Sequence, residues 1–497
     1  MRVWLVAALV AGLSGESRAD EGAVRPNVVL ICIDDLNDWV GPLGGHSQVR
    51  TPGLDRLAER GVTFANAHCQ APLCNPSRTS FLTGLRPGTT GVYALEPPVR
   101  SVPGFEQVVT LPQHFQANGY RTLIAGKVFH DGQPAAKDRR NGNEVDEWGP
   151  AGSHAQPRPE RPFVSTPGGH PLVDWGAFPD REEAMSDTQV ADWAVSRLKA
   201  LADDGPDRPF WMGVGFRRPH VPCYAPQKWF DLYPDDGSLV LAPFQANDRD
   251  DTPRASWWLH WRLPEPRRAW LESAGQTRAL TRAYLACVSY VDAQVGRVLD
   301  AIDGAGLADR TIVVVLSDHG WHLGEKGITG KNSLWERSTR VPLIVAGPGV
   351  ARGTVCRRPA ELLDVYPTLV ELAGLPRREG LEGHSLVPQL RDPSAARLWP
   401  AITVHGPGNV AVRDEAHRYI RYADGSEELY DLATDPNEWT NRADDPSVAG
   451  LKRSLAAWIP AHQAPPAPGS HSRLIDRRDG VSFWEGVPIG EGEGVPD

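Results

Sequence analysis

Cys74 opens the most chemically pointed run in the chain, Cys74-Asn75-Pro76-Ser77-Arg78, which continues through Thr79-Ser80-Phe81-Leu82-Thr83 and stops at Gly84. The order suits a loop entering a short helix, with Gly84 past its end and Cys74 at its mouth. A helix N-terminus offers unpaired N–H groups and a partial positive charge, so Cys74 is aimed at an anion. Two further pairs of positions stand out beside it. Asp34-Asp35 follows the apolar run Asn27–Ile33, and Asp318-His319 follows Thr311–Leu316. Three carboxylates gathered at one place repel unless a cation neutralises them, and oxygen-rich ligation suits calcium or magnesium, with His319 the softer exception.

The elements that must hold these residues read as an α/β protein. Asn27–Ile33 and Thr311–Leu316 are continuous apolar runs of strand length, as buried parallel strands are, and each delivers an acid at its C-terminal end. In open α/β sheets the ligand crevice lies outside those ends. Tyr120–Ala125 reads as a third strand, leading to Gly126-Lys127-Val128-Phe129-His130, and Pro209–Phe216 as a fourth, leading to Arg217-Arg218-Pro219-His220. Val62–Cys69 and Val341–Ala346 add two more. Helices are expected over 51–61, 110–119, 187–204, 274–304 and 360–374, the longest from Leu280 to Ile302 at three- and four-residue steps. The alternation of strand and helix predicts a doubly wound, mostly parallel sheet flanked by helices. Beyond residue 398, short strand candidates joined by turns predict a small C-terminal antiparallel α+β subdomain. The expected division is a signal peptide over 1–19, a catalytic domain over 20–397, a subdomain over 398–465, and a wrapping or disordered tail over 466–497.

Composition narrows the function classes. With 497 residues the chain can bury a large core, and its net charge of −10 argues against a nucleic-acid or anionic-membrane surface. Residues 1–19 carry Arg2, an apolar run too short to span a bilayer, and Ser17-Arg18-Ala19 as a small-x-small cleavage site. That pattern predicts export to the periplasm or medium, with no membrane span. The six cysteines are scattered and form no disulfide framework. Trp257, Trp258, Trp261 and Trp270 read as loop anchors rather than as sugar-stacking platforms.

The run from Cys74 to Gly84 resembles the signature of the type I sulfatases, in which such a cysteine is oxidised to formylglycine, an aldehyde that hydrates to a geminal diol. The resemblance extends from Asn27 to about Asn441. Gly126-Lys127-Val128-Phe129-His130, Arg86-Pro87-Gly88-Thr89-Thr90, Pro219-His220-Val221-Pro222 and Ser317-Asp318-His319-Gly320-Trp321 are similar to the iduronate-2-sulfatase-like subgroup. It implies one calcium ion held by Asp34, Asp35, Asp318 and His319, with the modified Cys74 completing the shell. It also implies roles. Asp318 takes the attacking hydroxyl's proton, Arg78 braces the nucleophile, and Lys127 and Lys331 neutralise the sulfate oxygens. His220 donates to the bridging oxygen, and His130 takes a proton from the second hydroxyl so that the half-ester collapses and expels sulfate. The implied partners are a formylglycine-generating enzyme and a sulfated sugar, for example a 2-O-sulfated uronic acid. Asn75 departs from the pattern, where Ala or Ser is commoner. Two alternatives stay open: a phosphonate monoester or phosphodiester hydrolase, and a non-catalytic secreted binder of sulfated glycans.

Overall fold

A computed structural model describes residues 25–130, 144–152, 157–205, 208–490 and 492–493. The expected signal peptide and part of the long excursion after Asp131 lie outside the described residues. The central sheet has eight strands: β1 (Asn27–Asp34), β2 (Gly61–Phe64), β3 (Arg121–Gly126), β4 (Glu147–Trp148), β5 (Phe210–Pro219), β6 (Thr311–Ser317), β7 (Leu343–Ala346) and β8 (Thr354–Cys356). Their order across the sheet is β8-β2-β7-β6-β1-β5-β3-β4. Only β7 runs antiparallel to its neighbours, β6 and β2. β1 lies between β5 and β6, parallel to both, so three of the strand ends singled out in the sequence emerge side by side.

The period of two along β1 sends alternate residues into two cores. Val29, Ile31 and Ile33 pack with helices α1 (Pro52–Arg60), α4 (Ser186–Asp203) and α5 (Thr277–Gly304). Val28, Leu30 and Cys32 pack with α2 (Cys74–Thr83), α3 (Leu111–Ala117) and α6 (Val365–Leu372). Both faces are covered, which explains why the strands read as unbroken apolar runs. Among the described residues no helix is long and apolar enough to cross a membrane.

Two local readings need correction. The run 62–69 is not one strand: after β2 the chain leaves the main sheet, and Ala67–His68 pairs instead with Ala360–Glu361. That pairing takes the first residues of the expected 360–374 helix, which starts as a tight turn at Leu362 and becomes α-helical only from Val365.

The C-terminal part is a four-stranded antiparallel sheet, β9 (Ala401–Val404), β10 (Val410–Arg413), β11 (His417–Arg421) and β12 (Glu427–Asp431), followed by α7 (Ala449–Ala456). One face packs Val412 and Leu429 against Leu455 of α7. The other packs Ile420 and Tyr430 against Trp335 and against Ile475 and Trp484 of a three-stranded meander, β13 (Ile475–Arg478), β14 (Val481–Trp484) and β15 (Val487–Pro488). The tail is therefore ordered over these residues, because apolar side chains spaced along a Gly- and Pro-rich stretch find a sheet face to cover. Trp261 is buried in the same core, and Trp257 and Trp258 pack against it.

Arg418, fully buried on β11, ties this sheet to the rest of the molecule. Its Nη1 donates to Leu334 O at 2.9 Å, its Nε lies 2.9 Å from Glu438 Oε1, and its Nη2 pairs with Glu336. Removing the cation takes the ion-pair partner from the buried Glu438 carboxylate, whereas the part-buried Glu336 keeps Arg413 at 3.4 Å. Arg418→Ala is expected to cost about 3–5 kcal/mol, measured as a lower urea midpoint and a reduced yield of folded protein.

Candidate active site

The site is assembled where β1 ends. The register with β5 shifts between Ile33 and Asp34, and Asp35 then turns into the left-handed region with φ +62°. Asp tolerates that conformation better than most residues, yet it costs energy and needs support. Support comes from two directions. The Asp35 N–H donates to Asp318 Oδ1 at 3.1 Å, and Tyr284 Oη on α5 donates to Asp35 O at 2.7 Å while accepting from Asn37 N at 3.0 Å. Ser317 Oγ accepts from Leu36 N at 2.9 Å and so locks the neighbouring strand end to the same turn.

Cys74 is the first residue of α2, and the preceding Leu73 supplies no side-chain cap. Its thiol is buried, with Lys331 Nζ 3.0 Å and His319 Nε2 3.3 Å from Sγ. Lys331 also donates to Asp35 Oδ1 at 2.8 Å. One turn along the helix, Arg78 donates through Nε to Asp318 Oδ2 at 2.8 Å, and its Nη2 lies 3.4 Å from Asp34 Oδ1. Its Nη1 donates to the carbonyls of Lys127 and Val128. Ser77 Oγ donates to the Asp318 carbonyl at 2.5 Å.

Lys127 reaches Asp34 Oδ2 at 2.6 Å. Its position depends on Gly126, which has φ +71° and lies so close to β5 that a Cβ there would sit 1.8 Å from Gly215 O. Only glycine permits that approach. His220 follows β5, with Nε2 3.8 Å from Asp35 Oδ2 and Nδ1 2.6 Å from Val221 O.

These charges set one another's protonation. Burial pushes the Asp35 carboxyl up to about 7, although Lys331 pulls it down. Burial likewise raises Asp318 against the pull of Arg78. Burial disfavours the Cys74 thiolate, but the ammonium groups of Lys127 and Lys331 outweigh it and hold the thiol well below its ordinary value. Burial disfavours the charged forms of Lys331 and His319 too, and the carboxylates, Asp35 for the lysine and Asp318 for the histidine, overcome it.

Asp34, Asp35, Cys74 and His319 each offer a ligand atom, all within 4.8 Å of one another and all buried. Asp35 Oδ2 has no hydrogen-bond partner in this cluster. An imidazole and two carboxylates, one of them with an orphaned buried oxygen, fit a divalent cation. Asp318 stands at the edge of that set: Oδ1 accepts from the backbone N–H groups of Asp35 and His319, and Oδ2 accepts from Arg78.

Above the cluster opens a cavity of about 400 Å³ whose lining includes Cys74, Lys127, His130, His220 and Lys331. His130 Nδ1 is buried without a hydrogen-bond partner. All ten positions singled out in the sequence thus converge on one region. The remaining wall was not legible beforehand: Leu95, His170, Arg262, Glu265, Arg473 and Trp484 come from separate loops and from the C-terminal meander. One signal was available. Asn75, the departure within the helix-opening run, donates from Nδ2 to Ala94 O at 3.1 Å and to Pro97 O at 3.0 Å, and so ties the Leu95 loop to α2.

The sulfatase family model matches residues 26–375, and that of the N-sulphoglucosamine sulphohydrolase C-terminal region matches residues 324–464. A sulfatase of Formosa agariphila is 40% identical over 454 residues, covering 88% of this chain and 87% of its own. Human iduronate 2-sulfatase is 32% identical over 423 residues, covering 75% and 74% respectively. Among solved structures, the phosphonate monoester hydrolase of Silicibacter pomeroyi shares the fold, with a TM-score of 0.71 at 22% identity over 88% of this chain and 94% of that one. The extent of the family match, over the segment that carries both acidic strand ends and the Cys74 helix, shows that the chain belongs to the sulfatase family, hydrolases of sulfate esters.

Proposed function

We propose that this is an exported sulfatase that releases sulfate from carbohydrate monoesters, with a 2-O-sulfated uronic acid as the substrate class. The observation that carries the reading is the position of Cys74 Sγ, held by Lys331 and His319 among buried carboxylates at a cavity that also presents Lys127, His130 and His220. The likeness to iduronate 2-sulfatase supports the uronate.

In this reading a modifying enzyme converts Cys74 to formylglycine, whose hydrate supplies the hydroxyl nucleophile; the Sγ contacts described here stand in for those of its oxygens. Asp34, Asp35 and His319, with residue 74 and with Asp318 alongside, would hold a calcium ion, which supplies positive charge beside the nucleophile and lowers its pKa. The protein's own residues do the rest. Asp318 accepts the attacking hydroxyl's proton, in an orientation fixed by Arg78 and two backbone N–H groups. Lys127 and Lys331 place charge where the sulfate's non-bridging oxygens gather it, and they do so in a buried setting where such interactions are strong. His220 gives a proton to the leaving sugar oxygen, and His130 takes one from the second hydroxyl of residue 74, so that sulfate leaves and the aldehyde returns.

Three outcomes are expected. First, activated protein with calcium should release sulfate from 2-O-sulfated uronate oligosaccharides, and intact mass should show the Cys74 thiol exchanged for an aldehyde; Cys74→Ala should abolish both. A clear preference for matched phosphate esters would instead support a phosphonate or phosphodiester hydrolase, and binding without turnover by an unmodified thiol would support a glycan binder. Second, Asp318→Asn should lower kcat by about 10²–10⁴, and because it takes a charge away from buried Arg78 it should also melt below the parent protein. Third, calcium at a hundredfold excess over its Kd should stabilise the fold by about 2.7 kcal/mol, read as a rise in Tm. Asp35→Asn should remove that rise, a readout independent of activity.

A further inference from the structure

One wall of the cavity is built by chain that both family matches leave out, since they end at residues 375 and 464. Arg473, just before the meander strand β13, lines the cavity together with Cys74. It is delivered there by an unusual corner: Ser472 and Arg473, consecutive and neither of them glycine, have φ of +61° and +65°. Left-handed backbone costs such residues about 1–2 kcal/mol apiece, so the corner persists only because its surroundings hold it. Leu95 N donates to Ser472 O at 3.1 Å, Arg473 N donates to Glu485 Oε1 at 2.5 Å, and Glu485 N donates to Leu474 O at 2.8 Å. Strain of this kind collects at ligand clamps.

The guanidinium at the end of this corner is anchored but not exhausted. Nη1 donates to Asn332 Oδ1 at 3.0 Å and Nη2 to Glu265 Oε1 at 2.9 Å. Asn332 is the residue after Lys331, so the anchor ties Arg473 to the backbone that carries the Sγ-contacting ammonium. Arginine has five N–H donors in a fork that matches carboxylates and sulfates. Two are committed here, on a side chain that is 16% exposed. The remaining donors have a place for an anion in the cavity that also contains the reactive residue.

Resting on the carbohydrate-sulfatase reading above, we infer that Arg473 is a specificity-determining residue that binds a second anionic oxygen group on the sulfated sugar, either a carboxylate or another sulfate. It acts on a part of the substrate that does not react.

The test compares three substrates: a 2-O-sulfated hexuronate, the matching neutral 2-O-sulfated hexose, and that hexose bearing a second sulfate. The wild-type enzyme should favour at least one anionic substrate over the neutral one by about tenfold or more in kcat/KM, and the favoured one tells carboxylate from sulfate. Arg473→Gln should erase that preference, chiefly through KM, and leave turnover of the neutral ester within about threefold. Arg473→Lys, which keeps the charge and loses the fork, should give an intermediate ratio and serves if the Gln variant does not fold. Absence of a wild-type preference, or an equal loss on all three substrates in either variant, overturns the inference. Release of sulfate from none of them by formylglycine-bearing wild-type enzyme would overturn the function proposed above, whereas release without discrimination overturns only the role of Arg473.

Discussion

The structure depends on one constraint: Asp34, Asp35 and Asp318 are removed from water beside Arg78, Lys127 and Lys331, and none of these six charges is tolerable there without the others. Burying an ion costs several kcal/mol even after relaxation, and only close opposite charge with hydrogen bonds to spare offsets it. The six come from five separate segments of the chain. Every element that carries one must therefore be in place before the cluster is stable, and the cluster in turn fixes where those elements end. The same dryness makes the site chemically potent, because a charge developing on a substrate meets fixed charges through little intervening dielectric.

The sheet supplies the stiffness that such a cluster demands. β1 is buried on both faces and flanked by parallel neighbours, so its C-terminal end can move little relative to those of β5 and β6. The close approach of Gly126 to β5 and the Tyr284 hydroxyl on the Asp35 carbonyl are the fine adjustments that aim individual side chains. Around this floor the cavity walls are loops: the segment near Leu95, the stretch around Glu265, and the corner at Arg473. These walls are tied to the floor, through Asn75 to the helix that carries Cys74 and through Arg473 to the residue after Lys331.

Much of the fold was legible because its signals are local. Unbroken apolar runs marked β1 and β6 as doubly covered strands, and three- and four-residue spacing marked α5. The failures also have physical reasons. The break after Phe64 and the delayed start of α6 both arise from the pairing of Ala67–His68 with Ala360–Glu361, a contact across nearly three hundred residues that no window of sequence contains. The meander after residue 474 was obscured by its Gly and Pro content, and it exists because Ile475 and Trp484 can cover a face of the C-terminal sheet. Asn75 looked like an imperfection in a motif, and its role as a tether became visible only with the partner loop in place.

By itself the sequence determined which chemistry is available: a cysteine at a helix mouth, acids at strand ends, lysines and histidines following glycine- and proline-marked turns. These follow from residue type and near-neighbour spacing, which the chain carries locally. Only the tertiary structure decided that Asp35 turns left-handed onto Asp318, that Asp318 is committed to Arg78, and that Arg473 reaches the cavity from the far end of the chain. Each is a balance of burial against pairing between segments, and that balance has no value until the segments meet.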